Sequence, residues 1–172
     1  MHKNLLKPKQ PVVNQEADVA NFKLCYMDEE LFIEPAAAED FPSVCALLES
    51  EQLPISDLRN DMKHFYLAIV GDTTVGAIGL DPYGSSGLLR SMIVLPEYRH
   101  MGIAAHLVET LETHAKQLAI KDLFLITNTA DGFFTKIGFR KIQRDQLPAT
   151  VAGSAEFNGL CPESSSIMKK TI

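Results

Sequence analysis

From Leu24 onward, apolar residues recur with two alternating periods, which predicts strands and amphipathic helices interleaved along one chain. Leu31-Phe32-Ile33 reads as a short strand ended by Pro35. Glu39 or Asp40 can cap a helix whose apolar positions Phe41, Val44, Leu47 and Leu48 repeat at helical spacing, and Gln52-Leu53-Pro54 ends it. Ser56 to Asn60 reads as a further short helical turn. Phe65–Val70 and Thr74–Leu80, joined at Gly71-Asp72, form a hairpin. A run of turn formers from Asp81 to Gly87 precedes a strand over Leu88–Leu95, stopped by Pro96. A helix over Gly102–Leu118 follows, with Ile103, Leu107, Leu111, Ala115 and Leu118 on one face. Leu123–Ile126 is an unbroken apolar strand of the kind covered on both faces. Asp131–Ile137 is a shorter helix closed by Gly138, and Phe139–Gln143 and Ile167–Thr171 complete the strands. The fold class is α/β (α+β): a mixed, mostly antiparallel sheet of six or seven strands with helices on both faces. Residues 1–23 are polar, with Pro8 and Pro11 and no sustained period, and read as a loosely ordered arm before a single domain over 24–172.

Composition narrows the function. With 16 Lys+Arg against 22 Asp+Glu among 172 residues the net charge is −6, which argues against nucleic acid as a partner, since backbone binding needs clustered cations. No apolar run reaches the ~18–20 residues of a membrane span. The cationic N-terminus has only Leu5-Leu6 as an apolar core, so no export signal is expected, and three widely spaced cysteines (Cys25, Cys45, Cys161) read as reduced thiols. The expected compartment is the cytoplasm. His106 and His114 lie eight apart on one helix, about 12 Å, too far to share a metal. Both fall off its apolar face and are expected to be solvated. No metal site is expected, and His64, ahead of a strand, is kept as a candidate base.

The chemistry concentrates at the junction Leu88 to Ala104, where a strand ends at a proline, a tight loop follows and small residues open a helix. The first turn of a helix leaves backbone N–H groups without intrahelical partners, and the aligned peptide dipoles add about +0.5 of charge there. Gly102 and Ala104 let an anion approach those amides, and Arg99 adds a cation beside them. This is a pyrophosphate cradle made mostly of backbone, over Arg99, His100, Met101, Gly102, Ile103 and Ala104.

Val94-x-Pro96-x-x-Arg99-x-x-Gly102-x-Ala104 resembles the acetyl-CoA-binding signature of GNAT-family N-acetyltransferases, Q/R-x-x-G-x-G/A, with Ala in the last place. Phe133-Phe134-Thr135-Lys136-Ile137-Gly138-Phe139 resembles that family's second block, and the element order suits its fold. The resemblance spans roughly Leu31 to Ile172. Leu53-Pro54 with Asp57-Leu58, Gly79 to Gly84, Leu88 to Ser91, and Glu156-Phe157 with Leu160-Cys161-Pro162 are similar to the arsenic-resistance acetyltransferase subgroup. The resemblance implies acetyl-CoA as co-substrate, lying against the end of the Leu88–Leu95 strand with amides near Ile93 and Val94 facing its carbonyl. Asn128 matches a position that touches the pantetheine. It further implies transfer of acetyl to the amine of a small molecule by direct attack in a ternary complex, with a homodimer left open as the assembly. A peptide or protein acceptor, or a CoA-sensing module with weak turnover, are the alternatives.

Two departures from the family pattern stand out. Where many members carry a Tyr as general acid, this chain has Phe134, so another group such as Ser91, Tyr83 or Cys161 serves, or the thiolate leaves unassisted. Period-2 alternation places Leu88, Arg90, Met92 and Val94 on one face, and an acid is common in the family where Arg90 stands. A guanidinium can bind a carboxylate with two prongs, which points to an acceptor carrying an amine and an anionic group, as an amino acid does or an arsenic- or phosphorus-containing analogue. Arg90 can equally pair with an internal acid such as Asp81. Asp57 and Asp81 are the remaining acceptor-site candidates.

Overall fold

The computed structural model describes residues 30–160 and 164–172, side chains of 159 and 160 excepted. The arm expected over 1–23, and Cys25 and Cys161, lie outside them. One seven-stranded sheet runs in the order β1-β2-β3-β4-β5-β7-β6. Its strands are β1 (Leu31–Pro35), β2 (Phe65–Val70), β3 (Thr73–Tyr83), β4 (Ser86–Val94), β5 (Asp122–Thr127), β6 (Arg140–Ile142) and β7 (Ser166–Thr171). Every neighbouring pair is antiparallel except β4 and β5. The helices are α1 (Phe41–Ser50), α2 (Ile103–Gln117), α3 (Asp131–Lys136) and the single turn α4 (Ala149–Ala152).

Alternation along the strands sorts side chains to two faces. On one face Ala68, Ile78, Leu89, Val94, Leu123 and Leu125 meet the buried stripe Ile103, Leu107, Val108, Leu111 and Ala115 of α2, with Phe134 of α3. On the other, Leu67, Ala77 and Ile93 pack against Val44, Leu47 and Leu48 of α1, and Leu88, Phe124 and Ile167 against Val151 and Phe157. This is the expected sheet with helices on both faces.

The differences from the sequence reading are local. Asp81 to Tyr83 extend β3 rather than forming a loop, since the hairpin is closed by Gly84 (φ +64°) and Ser85 alone. Over Ser56–Asn60 the chain forms only an isolated turn, Leu58 N–H donating to Ile55 O (3.1 Å), rather than a helical segment, and α4 was not expected. Helix α1 starts at Phe41 behind Asp40, whose carboxylate accepts from the Ala37 amide (2.8 Å) rather than from the helix.

Gly79 of β3 faces Phe65 of β2, and a Cβ added there would lie 2.4 Å from the ring's Cζ. The ring fills the space a side chain would take and is itself buried, so Gly79→Val overpacks this cross-strand pair. We expect a loss of about 1–3 kcal/mol in chemical denaturation.

Candidate functional site

The site begins with a register error in the sheet. Strands β4 and β5 run parallel only over Ser86–Leu88 against Asp122–Phe124, and then part. On the other side of β4, Ala77 faces Ile93 and Gly79 faces Arg90, so Ile78 alone stands opposite Ser91 and Met92. That extra residue is a β-bulge, with Ser91 at φ +52°. It corrects the expectation that Leu88, Arg90, Met92 and Val94 share a face. Leu88 and Ile93 belong to the α1/α4 face, while Val94 belongs to the α2 face, because one inserted residue shifts the period by half a turn.

The parted strands enclose a cleft of about 640 Å³, lined by Arg90, Ser91 and Met92 from β4 and by Leu125 to Ala130 from β5 and its following loop. Phe134 and Glu156 also line it. A second cavity of about 510 Å³ continues it along Ile93, Val94, Arg99, His100, Ala104 and Phe133, and shares Met92, Thr129 and Ala130 with the first. The two together form a trough running from Arg90 to the start of α2.

At its far end Gly102 holds φ +82°, and nothing lies within 4 Å of where a Cβ would stand. The first bonds of the helix run to Gly102 O from Ala105 (three residues on) and His106 (four residues on), which leaves the amides of Ile103 and Ala104 ahead of them. A left-handed glycine, free amides and open space form a cradle that an anion fits and a β-carbon would obstruct. His100, at φ +65°, shares this tight loop. The Ile103 side chain is buried in the core and Met101 packs on it, so what these two offer to the trough is backbone.

Arg99 is placed otherwise than expected. Its Nε donates to Val94 O (2.9 Å) and its Nη2 to Glu51 (2.6 Å), so it straps the loop to the end of β4 and to α1. Asn128 lines the cleft while its Oδ1 accepts from Ser165 Oγ (2.5 Å). Phe134 is buried edge-on between Phe133 and Phe139 and carries no proton to give.

The three acceptor-site candidates converge, but on each other. Arg90, only 6% exposed, donates through Nη2 to Asp57 (2.6 Å) and through Nη1 to Asp81 (2.8 Å). Its Nε lies 3.4 Å from Glu156 Oε1 and from Ser91 Oγ. Burial disfavours its charge, yet the bond to Asp57 and the charge of Glu156 hold the guanidinium protonated well above its ordinary range. The internal-acid alternative therefore describes Arg90, and both of its prongs are committed to the protein. Tyr83, from the end of β3, lines an adjoining cavity with Asp57, Asp81 and Arg90. Burial and then Asp81 push its phenol up.

Glu156 was visible in sequence only as part of the Glu156-Phe157 resemblance. Its signal is the apolar neighbour: Phe157 is buried with Leu88 and Phe124, and its carbonyl accepts from Arg144 Nη1 (3.1 Å), which draws the preceding carboxylate inward.

His64 and His114 also depart from expectation. The rings bond at 2.8 Å (Nδ1 to Nε2), and His114 meets Tyr66 edge-on, so His114 is not a solvated side chain. Burial, and then the neighbouring His114, hold His64 below the ordinary histidine range; burial does the same to His114 against a bond from Gln117. A depressed folded pKa gives stability that is present above the unfolded value and is lost as pH falls. The pair's contribution is therefore expected to shrink between pH 7 and pH 5, read as the difference in urea midpoint between wild type and His114→Phe at each pH. A difference that stays constant over that window would remove the pair from the pH dependence.

Residues 61–141 match the acetyltransferase (GNAT) domain family. The chain is 37% identical over 87 residues to an amino-acid acetyltransferase of Pseudomonas syringae pv. tomato, covering 51% of this chain and 19% of that protein. It thus spans about a fifth of that relative's length. The fold resembles N-acetylglutamate synthase from Neisseria gonorrhoeae complexed with coenzyme A and L-arginine (TM-score 0.71, 20% identity, 83% of this chain and 33% of that one). It also resembles a Mycobacterium tuberculosis protein in complex with CoA (TM-score 0.70, 22% identity, 82% and 99%).

Proposed function

We propose that this chain, which carries a GNAT-type acetyltransferase domain, moves the acetyl group of acetyl-CoA to the amine of a small, amino-acid-like molecule. The observation that carries this reading is the trough between β4 and β5, closed at one end by a carboxylate-rich cluster and at the other by the open Gly102 turn. The name of the matched Pseudomonas relatives supports the acceptor class, and the CoA bound in both structural neighbours supports the co-substrate.

The thioester supplies an activated acyl carbon; the protein supplies binding, orientation and electrostatics. In this reading the Gly102–Ala104 turn holds the diphosphate by main-chain N–H groups, and Arg99 keeps that turn in place through Val94 and Glu51. The bulge at Ser91 and Met92 turns the end of β4 so that its backbone at Ile93 and Val94 borders the trough, where an amide can stabilise a developing oxyanion. Phe134 excludes water from the sulfur's side without donating a proton, so departure of the thiol rests on Ser91 or Tyr83, or proceeds unassisted. Since Arg90 is committed to internal carboxylates, the acceptor's anionic end is assigned instead to Arg59 and Lys63, cations lining the adjoining cavity with Asp57, Asp81 and Tyr83.

The motif pieces similar to arsenic-resistance acetyltransferases belong to this reading, so the acceptor panel includes arsenic- and phosphorus-containing amino-acid analogues beside glutamate and other amino acids. We also place the protein in the cytoplasm; no described helix is long and apolar enough to cross a membrane. The test is release of free thiol from acetyl-CoA with each acceptor. Turnover with anionic amines in preference to neutral ones supports the reading. Tight acetyl-CoA binding with no release from any acceptor favours the CoA-sensing alternative, which Phe134 motivates.

A further inference from the structure

Three carboxylates surround one buried guanidinium, and they are not equivalent. Asp57 and Asp81 each accept a short bond from a terminal nitrogen of Arg90, at 2.6 and 2.8 Å. Glu156 stands farther off, 3.4 Å from Nε, yet is the most deeply buried of the three, its side chain 12% exposed. Of the three, Glu156 also lines the cleft between β4 and β5, beside Ser91, Asn128 and Phe134. The cluster is one charge short of neutral even with one carboxylate protonated, so it favours an incoming cation. The carboxylate held most loosely is the one that can exchange a proton without dismantling the Arg90 pairs.

Resting on the acetyltransferase reading above, we propose that Glu156 is the general base that takes a proton from the acceptor's ammonium group, while Asp57 and Asp81 fix Arg90 as its permanent counter-charge. The Glu156 carboxylate accepts one N–H proton from R–NH3+, which frees the nitrogen lone pair. That pair forms the C–N bond at the thioester carbonyl carbon, and the C–S bond breaks with its electrons leaving on sulfur. The second N–H proton ends on the thiol, and the proton on Glu156 passes to solvent. Ammonium and thioester thus give amide, thiol and one proton.

The surroundings suit that task. Burial raises the Glu156 carboxyl, Arg90 of β4 pulls it down, and Asp57 from the α1–β2 connection and Asp81 from β3 raise it, leaving it pushed up to about 7. Tyr83, at the end of β3, is the other titratable group coupled to it. A base with this value is half ionised at neutral pH, where proton transfer is most effective. Its backbone is held by Phe157 in the core and by Asn158, whose side-chain amide donates to Ala152 O and Ser154 O (3.3 and 3.0 Å).

The experiment compares the full chain with Glu156→Gln and Glu156→Asp, measuring thiol release against pH and acetyl-CoA binding by calorimetry. Wild-type kcat/KM is expected to climb tenfold per pH unit and level near 7. Glu156→Gln should lower kcat by about 10²–10³-fold and lose that break, with acetyl-CoA affinity retained and the melting temperature not lowered. Glu156→Asp should recover part of the rate and keep a break. A Gln variant with wild-type rate and profile overturns the assignment, and so does a rate loss accompanied by lost acetyl-CoA affinity or a lowered melting temperature. Wild-type protein that turns over no acceptor overturns the acetyltransferase reading itself, and this assignment with it.

Discussion

Arg90→Met is expected to lower the unfolding free energy by about 3–5 kcal/mol at pH 8. Methionine matches the arginine stem in length and apolar contact, so the loss isolates the guanidinium. Without it Asp57, Asp81 and Glu156 face one another and lose the one guanidinium that all three contact. Removing one partner from a buried ionic cluster leaves the others charged and desolvated, which costs more than the cluster contributes intact. The pH dependence has a definite sign. Glu156 has a folded value raised to about 7 from an ordinary 4.5, so its contribution is fully present at low pH and is lost as pH climbs through that window. Wild-type stability should therefore decline from pH 4.5 to pH 7.5, by a few kcal/mol from this group alone. In Arg90→Met the pull that holds Glu156 down is gone, so the decline extends to higher pH. Asp57→Asn with Asp81→Asn in that background should recover much of the loss. Urea denaturation at pH 5 and pH 8 measures all of this, and a variant as stable as wild type at pH 8 would remove the cluster from the account.

That cluster also marks where sequence stopped being informative. The order of strands and helices was legible because α2 buries one face and carries its period of three to four, while β2 and β3, covered on both faces, read as short apolar runs bounded by turn formers. Arg99, Gly102 and Ala104 were legible because a tight loop before a helix restricts residue type locally. The bulge at Ser91 and Met92 leaves no such mark. Neither residue is a glycine, and the inserted position shows only as strand partners on β3, eleven or more residues away. It reverses the faces of Met92 and Val94, so an argument from alternation past Arg90 was bound to misplace them. The commitment of Arg90 was equally hidden. Its partners lie 33, 9 and 66 positions away, on a loop, a strand and a short turn, and none is set by local propensity. Glu156 sits on a turn too short to have a period at all. The pairing of His64 with His114 joins a residue before β2 to the last turn of α2, 50 positions apart, where helical phase alone left His114 in solvent.

Gly102→Trp bears on the other end of the trough. Two effects separate there. Any β-carbon at φ +82° strains the backbone by roughly 1–2 kcal/mol, which Gly102→Ala measures by itself in a melting experiment. Alanine adds one methyl to open space and should keep acetyl-CoA affinity within about tenfold. Tryptophan adds the same strain and an indole that covers the amides of Ile103 and Ala104. Hydrogen bonds from backbone N–H groups to a charged oxygen contribute about 1.5–3 kcal/mol each, so losing two weakens binding by about 10²–10⁴-fold. The contrast between the two variants, read by calorimetry on folded protein, distinguishes blocked access from a distorted loop. Equal losses in both would mean that the loop's conformation, rather than the space before it, governs binding. Affinity unchanged in folded Gly102→Trp would mean that the diphosphate lies elsewhere, and the path of the trough from Arg90 to α2 would have to be redrawn.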